Sequence, residues 1–563
     1  MSQTITDPQI DRAWWKEAVV YQIYPRSFND SNADGIGDLR GIIERVDYLD
    51  DLGVDAVWLC PVYESPMHDN GYDISDYRSI HPQFGTIEDW EQLLDALHAR
   101  DIRLLMDLVV NHTSIEHDWF QRSRRREDGY ESFYHWHGGE PDQPPNNWGS
   151  LFGGSAWSYD DEREQWYLSI FDSTQPDLNW RNPDVRREME SVAQFWLDKG
   201  VDGFRLDAIS HLSKADGYPD GDPDEGITGI EQFTHGPRLD EYLRTLCTDA
   251  MAGYDAVTVG EMGASSLDET LPYLGEDGVG IDMLFQFDHA NIGDVEDGRL
   301  DAEGWGEWDL DDLRTIMTRR QERLDGTGWD PLFLGNHDLP RAVSQFGDDT
   351  YRHASATLLA TFLLTMRGTP FIYQGEEIGM TNVEFDALDD VDDVWTVGTV
   401  EHHIEQGWID SFEDVRDVVN YRSRDHSRTP MQWSDDDAAG FTDGEPWLAV
   451  GTDHGHVNAE TARRNENSVW HYYRRLIDLR HDELALVYGD YDLWEADDDR
   501  IYPYTRAAGE DTLLVVLNWS AERATFDGTD RADPTVLVSN YDDPPAGTDQ
   551  CELRPYEAIV YCL

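Results

Sequence analysis

Apolar residues fall along the chain in short β-branched runs separated by stretches of helical period. AVVYQIYP (18–25) is followed by LRGIIERVDYLDDLG, VDAVWLCP (54–61) by WEQLLDALHARD, and IRLLMDLVVNH (102–112) closes the first set. Strand, helix and strand in this order make βαβ units, and such units build a parallel sheet. The rhythm resumes after residue 180 with MESVAQFWLDKG and VDGFRLDAI, YLRTLCTDA and AVTVGEM, then IDMLFQF, LRTIMTRRQERL and PLFLGNHD. It ends with SATLLATFLLTMR, TPFIYQGEE and VWHYYRRLIDLR. Eight strand candidates with helices between them predict an α/β fold of the (β/α)8 barrel type.

Two excursions break the alternation. Between the third strand and its helix, residues 113–179 are rich in Trp, Tyr, Gly and Asn and lack a helical period, which predicts an inserted subdomain rather than a linker. The second runs from about 381 to 465, after the eighth strand. From 490 the pattern changes to short strands with turns between, such as DTLLVVLNWS and YEAIVYCL, predicting a small antiparallel β domain over 490–563. The barrel then comprises a first part, 1–112, and a second, 180–489. A chain of 563 residues is too long for one ordinary domain, but a barrel with insertions holds most of it together.

Charge adds what periodicity cannot show. The chain has 115 Asp and Glu against 43 Lys and Arg, a formal charge of −72, and its only lysines are Lys16, Lys199 and Lys214. The acid is spread along the whole length instead of forming a tail, and it argues against nucleic acid as a partner. Self-repulsion of this size must be screened. At about 1 M salt the Debye length falls to ~3 Å, so the charge predicts a folded state tuned to concentrated salt, as in a halophile. Aromatic residues make up 12 %, with 21 Trp, which suits stacking on flat ligands such as sugar rings. Cys60, Cys247, Cys551 and Cys562 lie in hydrophobic settings without CxxC spacing and read as buried reduced thiols. The start, MSQTITDPQIDRAWWKEAVV, lacks a basic-then-apolar leader pattern, and no stretch of ~18 apolar residues occurs. The expectation is a cytoplasmic protein with no membrane partner, a monomer or small homo-oligomer.

In a barrel of this kind reactive groups gather at the C-terminal ends of the strands. Asp107, Asn111 and His112 end the third strand, Arg205 and Asp207 the fourth, Glu261 the fifth, His337 and Asp338 the seventh. Singly, each is an ordinary helix cap or salt-bridge partner. Together they are a costly collection of charge unless a polar ligand receives it. DLVVNH, GFRLDAI, VGEM and NHD, in this order, resemble the four signature segments of the α-amylase superfamily of glycoside hydrolases. GVDAVWLCPVYESPMHDNGYDISDY, QPDLNW, YQGEEIG and RTPMQW are similar to its α-glucosidase and oligo-1,6-glucosidase branch, and the likeness spans nearly the whole chain.

The resemblance implies a retaining mechanism, in which two carboxylates ~5 Å apart attack the anomeric carbon and protonate the leaving oxygen. It implies Asp207 as nucleophile, Glu261 as general acid/base and Asp338 as the third carboxylate, which binds and distorts the sugar before the cleaved bond. Arg205 and Asp207 are two apart on a strand and share a face, so the cation is expected to hold Asp207 ionised. Glu261, beside that anion, is expected to carry a proton near neutrality. His112 and His337 match the family's sugar-hydroxyl ligands. Asp69 and Tyr72, in DNGYD, resemble the pair that closes the pocket around the non-reducing glucose, Tyr72 as a stacking platform. Arg424 matches an arginine that pairs with Asp69 and blocks further subsites, which makes an enzyme exo-acting. Phe152 and Phe171 are candidates either for the pocket wall or for the subdomain core.

Within this branch Val after the nucleophile accompanies α-1,6 cleavage, and Ala or Gly accompanies α-1,4, so Ala208 implies short α-1,4 oligosaccharides such as maltose. Two departures stand out: His426 where RDNARTP usually has Asn, and Gly335 where Asn or Ser usually precedes NHD. The alternatives are an α-1,6-preferring oligo-1,6-glucosidase and a glucosyl-transferring or isomerising relative of the trehalose synthase or sucrose isomerase type. RLDGT (323–327) partly matches the RLDRD loop of the isomerases. A non-catalytic transporter subunit on this barrel would lack the full carboxylate set and carry a membrane helix.

One motif remains. SFNDSNADGIGDL places Asp30, Asn32, Asp34 and Asp38 on a two-residue beat between the first strand and its helix. An EF-hand fails at position 12, which is Gly41, and no helix precedes the loop. The first nine positions still offer Asp30, Asn32, Asp34, the Ile36 carbonyl and Asp38 to one hard cation, Ca2+ or Mg2+; without a metal they make an Asx-rich turn. The resemblance implies a single structural Ca2+ at this loop.

Overall fold

A computed structural model describes residues 12–563, apart from 224–225, 276–277, 296–298, 301 and 529–533. Most of the N-terminal stretch for which no leader is expected, residues 1–11, therefore lies outside the described residues. Eight parallel strands form the central sheet: β1 (Val20–Ile23), β2 (Ala56–Leu59), β3 (Arg103–Val109), β4 (Gly203–Asp207), β5 (Val257–Glu261), β6 (Met283–Phe285), β7 (Pro331–Leu332) and β8 (Thr369–Tyr373). They neighbour one another in chain order, β8 lies beside β1, and a Met283–Trp329 bridge joins the two remaining edges. This is the (β/α)8 barrel that the alternation predicts.

The two-residue period of each strand sorts its side chains. Tyr21, Val57, Leu104, Phe204, Leu284 and Ile372 point to the helix layer and belong to the large outer core. Val20, Trp58, Leu105, Val259, Phe285 and Phe371 point inward and fill the barrel. Continuing the inward parity toward the strand ends reaches Gln22, Asp107, Arg205, Asp207 and Glu261. The row that is apolar at the bottom of the barrel thus becomes charged at its rim.

The excursion after β3 carries a three-stranded antiparallel sheet, Trp136–His137, Gln165–Leu168 and Trp157–Asp160. Its base is closed by bridges His112–Asp177 and Tyr134–Leu178, and its core holds Trp148, Trp157, Trp166 and Phe233. Several tryptophans that suggested a stacking surface are thus core side chains: Trp58, Trp90, Trp148, Trp180, Trp196 and Trp470 are all fully buried. The C-terminal part is a five-stranded antiparallel sheet in the order Asp490–Leu493, Ile501–Ala508, Asp511–Asn518, Ala558–Cys562, Thr535–Ser539. A two-stranded pair, Ala524–Phe526 with Cys551–Leu553, packs its Phe526 and Leu553 with Leu514 and Ile559. The four cysteines are free thiols; three are buried, as expected, but Cys562 is half-exposed near the chain end. No helix among the described residues is long and apolar enough to cross a membrane.

Candidate active site

Arg205 is the hub of the rim. Its Nη1 donates to Asp207 Oδ1 (2.6 Å) and Asp107 Oδ1 (2.9 Å), and its Nη2 to Glu261 Oε2 (2.6 Å). Glu261 Oε2 also accepts the backbone N–H of Ala208 (3.1 Å). Asp107 is fully buried and accepts further bonds from the Tyr72 hydroxyl (3.0 Å) and Trp58 Nε1 (3.2 Å).

One guanidinium therefore serves three carboxylates, and this corrects the expectation that Arg205 holds Asp207 ionised. Burial first, then the neighbouring Glu261 and Asp107, push the Asp207 carboxyl well above the usual range against the pull of Arg205. Burial likewise pushes Asp107 up to about 6. Like charges this close cannot all ionise, so Asp107 and Asp207 hold their protons more tightly than free carboxyls and titrate together.

Asp338 is in the opposite situation. Its Oδ1 accepts from Arg428 Nη2 (2.9 Å) and Arg424 Nη1 (3.1 Å), and His337 Nε2 lies 3.0 Å from Oδ2. Burial opposes ionisation, but the cations around it hold Asp338 well below the carboxylate range. His337 is pushed down to about 3 by burial and is neutral, so the two arginines supply the charge. The His337 ring is clamped between Gln22 Nε2, 2.8 Å from Nδ1, and the Tyr72 hydroxyl, 2.5 Å from Nε2, and it stacks on the Tyr72 ring at a centroid distance of 5.2 Å. With the Gln22 amide donating to Nδ1, the proton sits on Nε2, facing Tyr72 and Asp338.

The remaining predicted residues gather on the same rim. Arg424 Nη2 lies 3.6 Å from Asp69 Oδ1, and Asp69 is pushed up to about 6 by burial. Gln175 Nε2 bridges Asp69 Oδ2 (3.0 Å) and His112 Nε2 (3.1 Å). His112 packs on Phe171 (5.1 Å), Phe171 on Phe152 (5.6 Å), and Phe152 lies under the Arg424 guanidinium (5.4 Å). Phe171 also packs against the subdomain core, so it serves both the roles open to it.

Asp107 was among the strand-end candidates. Sequence reading passed over four other contributors. Gln22 lies on the inward parity of its strand and was legible there. Arg428 and Gln175 stand inside motifs, RTPMQW and QPDLNW, whose individual side chains carried no separate signal. The fourth, Asp393, has no local pattern to mark it among so many acids, yet it is fully buried against Arg424. The two departures have physical consequences. His426 is buried and stacks on Phe385 (5.0 Å), away from Asp338. A Cβ at Gly335 would come within 2.8 Å of Glu376 Oε1, so the glycine makes room for that carboxyl.

The loop after β1 tests the fit of a cation. Asp30 accepts the N–H groups of Asn32 (2.8 Å), Ala33 (2.9 Å) and Gly35 (2.8 Å) and the Thr442 hydroxyl (2.5 Å). Asn32 accepts from Asp34 N–H and Asp34 from Ile36 N–H, each at 3.0 Å, so Asx turns follow one another at steps of two. Asp38 caps the helix Leu39–Glu44 by accepting from Gly41 N–H (2.7 Å). Among the described residues no three His, Cys, Asp or Glu side chains are grouped as a metal site. The donor set of Asp30, Asn32, Asp34, Asp38 and the Ile36 carbonyl is nonetheless all hard oxygen and fits Ca2+ or Mg2+. Gly35 and Gly37 have another cause, since a Cβ would lie 1.9 Å from the Glu445 carbonyl oxygen or 2.1 Å from that of Pro25.

A parallel barrel whose rim gathers buried and half-buried carboxylates between arginines, under an aromatic-rich subdomain, has the architecture of a sugar-cleaving enzyme. The chain belongs to the α-amylase family: the model of the alpha amylase catalytic domain matches residues 22–489. It is 48 % identical over 561 residues to an oligo-1,6-glucosidase of Parageobacillus thermoglucosidasius, covering 98 % of this chain and 99 % of that one. An α-glucosidase of Pediococcus pentosaceus is 43 % identical, with 98 % and 99 % covered. Among solved structures, the isomaltulose synthase of Klebsiella sp. LX3 superposes with a TM-score of 0.94 at 41 % identity, covering 98 % of this chain and all of that one.

Proposed function

We propose that the protein is a retaining, exo-acting α-glucosidase that releases terminal α-1,4-linked glucose from maltose and short oligosaccharides. The observation that carries this reading is the shared guanidinium: Asp207 and Glu261 each reach Arg205 at 2.6 Å, which keeps them close enough for a covalent mechanism. With the proton of the pair on Glu261, Asp207 attacks the anomeric carbon as the anion while Glu261 gives that proton to the leaving oxygen, forming a β-glucosyl ester. Glu261, now a carboxylate, takes a proton from water, and the water oxygen displaces Asp207 with retention. The pair needs one proton between them for this, and carboxylates this close keep one more readily than two separate ones. Asp338 remains an anion beside the sugar, where it takes hydroxyl hydrogen bonds and stabilises developing positive charge on the ring.

Arg424, between Asp338 and Asp69, walls the pocket behind the non-reducing glucose and supports exo action. Ala208 has φ +50°, a left-handed conformation that a β-branched residue adopts only at a cost. Its small side chain supports the α-1,4 preference. The oligo-1,6-glucosidase relatives favour α-1,6 cleavage as a second reading, and the isomaltulose synthase likeness favours glucosyl transfer as a third. Initial rates on maltose, isomaltose and sucrose, with products separated, decide among them. Maltose hydrolysed fastest supports the proposal, isomaltose fastest shifts it to oligo-1,6-glucosidase, and sucrose isomers with little free glucose overturn hydrolysis. Asp207→Ala is expected to abolish glucose release with unchanged circular dichroism; an active variant would remove Asp207 as nucleophile. The same reading gives the β1 loop one structural Ca2+, held by Asp30, Asn32, Asp34, Asp38 and the Ile36 carbonyl, remote from the chemistry.

A further inference from the structure

Asp393 is a fully buried carboxylate beside the sugar pocket that the reaction itself does not use. Its Oδ1 accepts both Nε (2.8 Å) and Nη2 (2.5 Å) of Arg424 and lies 3.6 Å from Arg428 Nη1. The other edge of the Arg424 fork, Nη1, is the one on Asp338. We propose that Asp393 is a positioning residue: it holds Arg424 from behind, through the atom nearest the stem, so that the guanidinium stands fixed between Asp338 and Asp69.

The geometry favours this role over a simple ion pair. A planar fork gripped only at its tips can rotate about its stem, and gripping Nε removes that freedom. Asp338 and Asp69 both face the sugar, so neither can hold the arginine independently of the ligand. Asp393 itself is fixed from two sides. Its backbone N–H donates to Asp425 Oδ2 (2.9 Å), beside the Asp392 N–H on the same oxygen (2.6 Å). Its Oδ2 faces away from the arginine and caps the helix Val394–Gln406, accepting from Thr396 N–H (3.1 Å) and Oγ1 (2.5 Å). That helix leans on the inserted subdomain at Gly398, where a Cβ would lie 3.2 Å from the carbonyl oxygen of Phe152. Phe152 is the ring under Arg424. One carboxylate therefore joins the pocket arginine to the helix that braces the pocket wall.

The inference rests on the glucosidase reading, and the test separates the two. On full-length protein with maltose, Asp393→Asn is expected to cut kcat/KM by on the order of 10²-fold, the loss that a displacement of about 1 Å brings. The asparagine has one oxygen in place of two: with it on the arginine the helix keeps only the Trp395 N–H bond and loses those from Thr396, and with it on Thr396 the arginine loses its acceptor. Thr396→Ala, which weakens the cap alone, is expected to lower Tm while leaving kcat/KM within about twofold. The double variant Asp393→Asn/Arg424→Ala is expected to be no worse than Arg424→Ala, because the first change acts through the second residue. If Asp393→Asn does not fold, Arg424→Lys tests the same joint, since lysine lacks Nε, and a loss of the same order is expected. Unchanged kcat/KM in Asp393→Asn or in Arg424→Lys, or effects that multiply in the double variant, overturns the inference alone. A wild-type protein inactive on maltose, isomaltose and sucrose overturns the functional reading and the inference with it.

Discussion

Burial pushes Asp69, Asp107, Asp207 and Asp338 alike toward the protonated form, and the charges around each decide the outcome. Asp338, held by two arginines, is an anion throughout the working range, while Asp69 and Asp107 are both pushed up to about 6. For a carboxyl raised from its ordinary 3.8, the folded protein binds the proton more tightly than the unfolded chain. The stability these two contribute is complete below about 3.8 and is lost as pH rises through about 6. Activity runs the other way, since the pairs Arg205–Asp107 and Arg424–Asp69 need the anions. We expect an acid limb in kcat/KM near pH 6. The Tyr72 hydroxyl donates to Asp107 and stabilises its charged form, so Tyr72→Phe is expected to move that limb to higher pH. A pH series of kcat/KM on maltose for both proteins checks the direction, and a limb that moves down or stays put refutes it. Lys214 offers a second residue-scale test. It is completely buried between Asp177 (2.5 Å) and Asn111 (2.9 Å) at the base of the subdomain. Lys214→Met leaves Asp177 as an uncompensated buried acid and is expected to cost about 3–5 kcal/mol in urea unfolding.

Among the elements, the β1 loop is where a ligand would change most. Its Asx turns already orient the oxygens, so a bound Ca2+ would add stability by mass action without remaking the loop. Full-length protein treated with a chelator is expected to melt several degrees lower, with Ca2+ restoring Tm and Asp30→Ala abolishing the response. An unchanged Tm on chelation removes the ion. The strands and their order were legible because a barrel strand repeats one simple pattern, apolar inward and outward, over several residues. The rim was legible for the same reason, as the inward parity of β3, β4 and β5 leads straight to Asp107, Arg205, Asp207 and Glu261. Asp393, by contrast, reaches the site from the excursion after β8, nearly 200 residues from Asp207 in sequence, and nothing short of the folded chain brings it to Arg424. The ionisation of Asp207 was misread for a related reason: the sequence shows that Arg205 is two residues away but not that Asp107 and Glu261 share it.

At the scale of the molecule, 115 acidic residues are unevenly opposed by 43 basic ones, leaving a charge of −72. Some cations form no ion pair among the described residues and serve backbone carbonyls instead. Arg480 donates to the carbonyls of Leu364, Met366 and Leu486 within the barrel part, and Arg506 donates to those of Thr365, Leu486, Val487 and Gly489, where it pins the C-terminal sheet to the barrel. Exposed pairs such as Arg464–Glu460 and Arg523–Glu552 are worth little individually. The excess acid therefore repels itself over distances set by the Debye length, ~30 Å at 0.01 M salt and ~3 Å at 1 M. We propose that the fold depends on that screening. Tm is expected to rise steeply with KCl from 0.01 to 1 M, and maltose hydrolysis to fail on dialysis into low salt with loss of far-UV ellipticity. Trimethylamine N-oxide serves as the control, since it strengthens burial by exclusion from the surface but adds no net charge to screen with. If trimethylamine N-oxide at matched osmolality rescues the dialysed protein as well as KCl does, repulsion is not what unfolds it, and the acidic composition has some other cause.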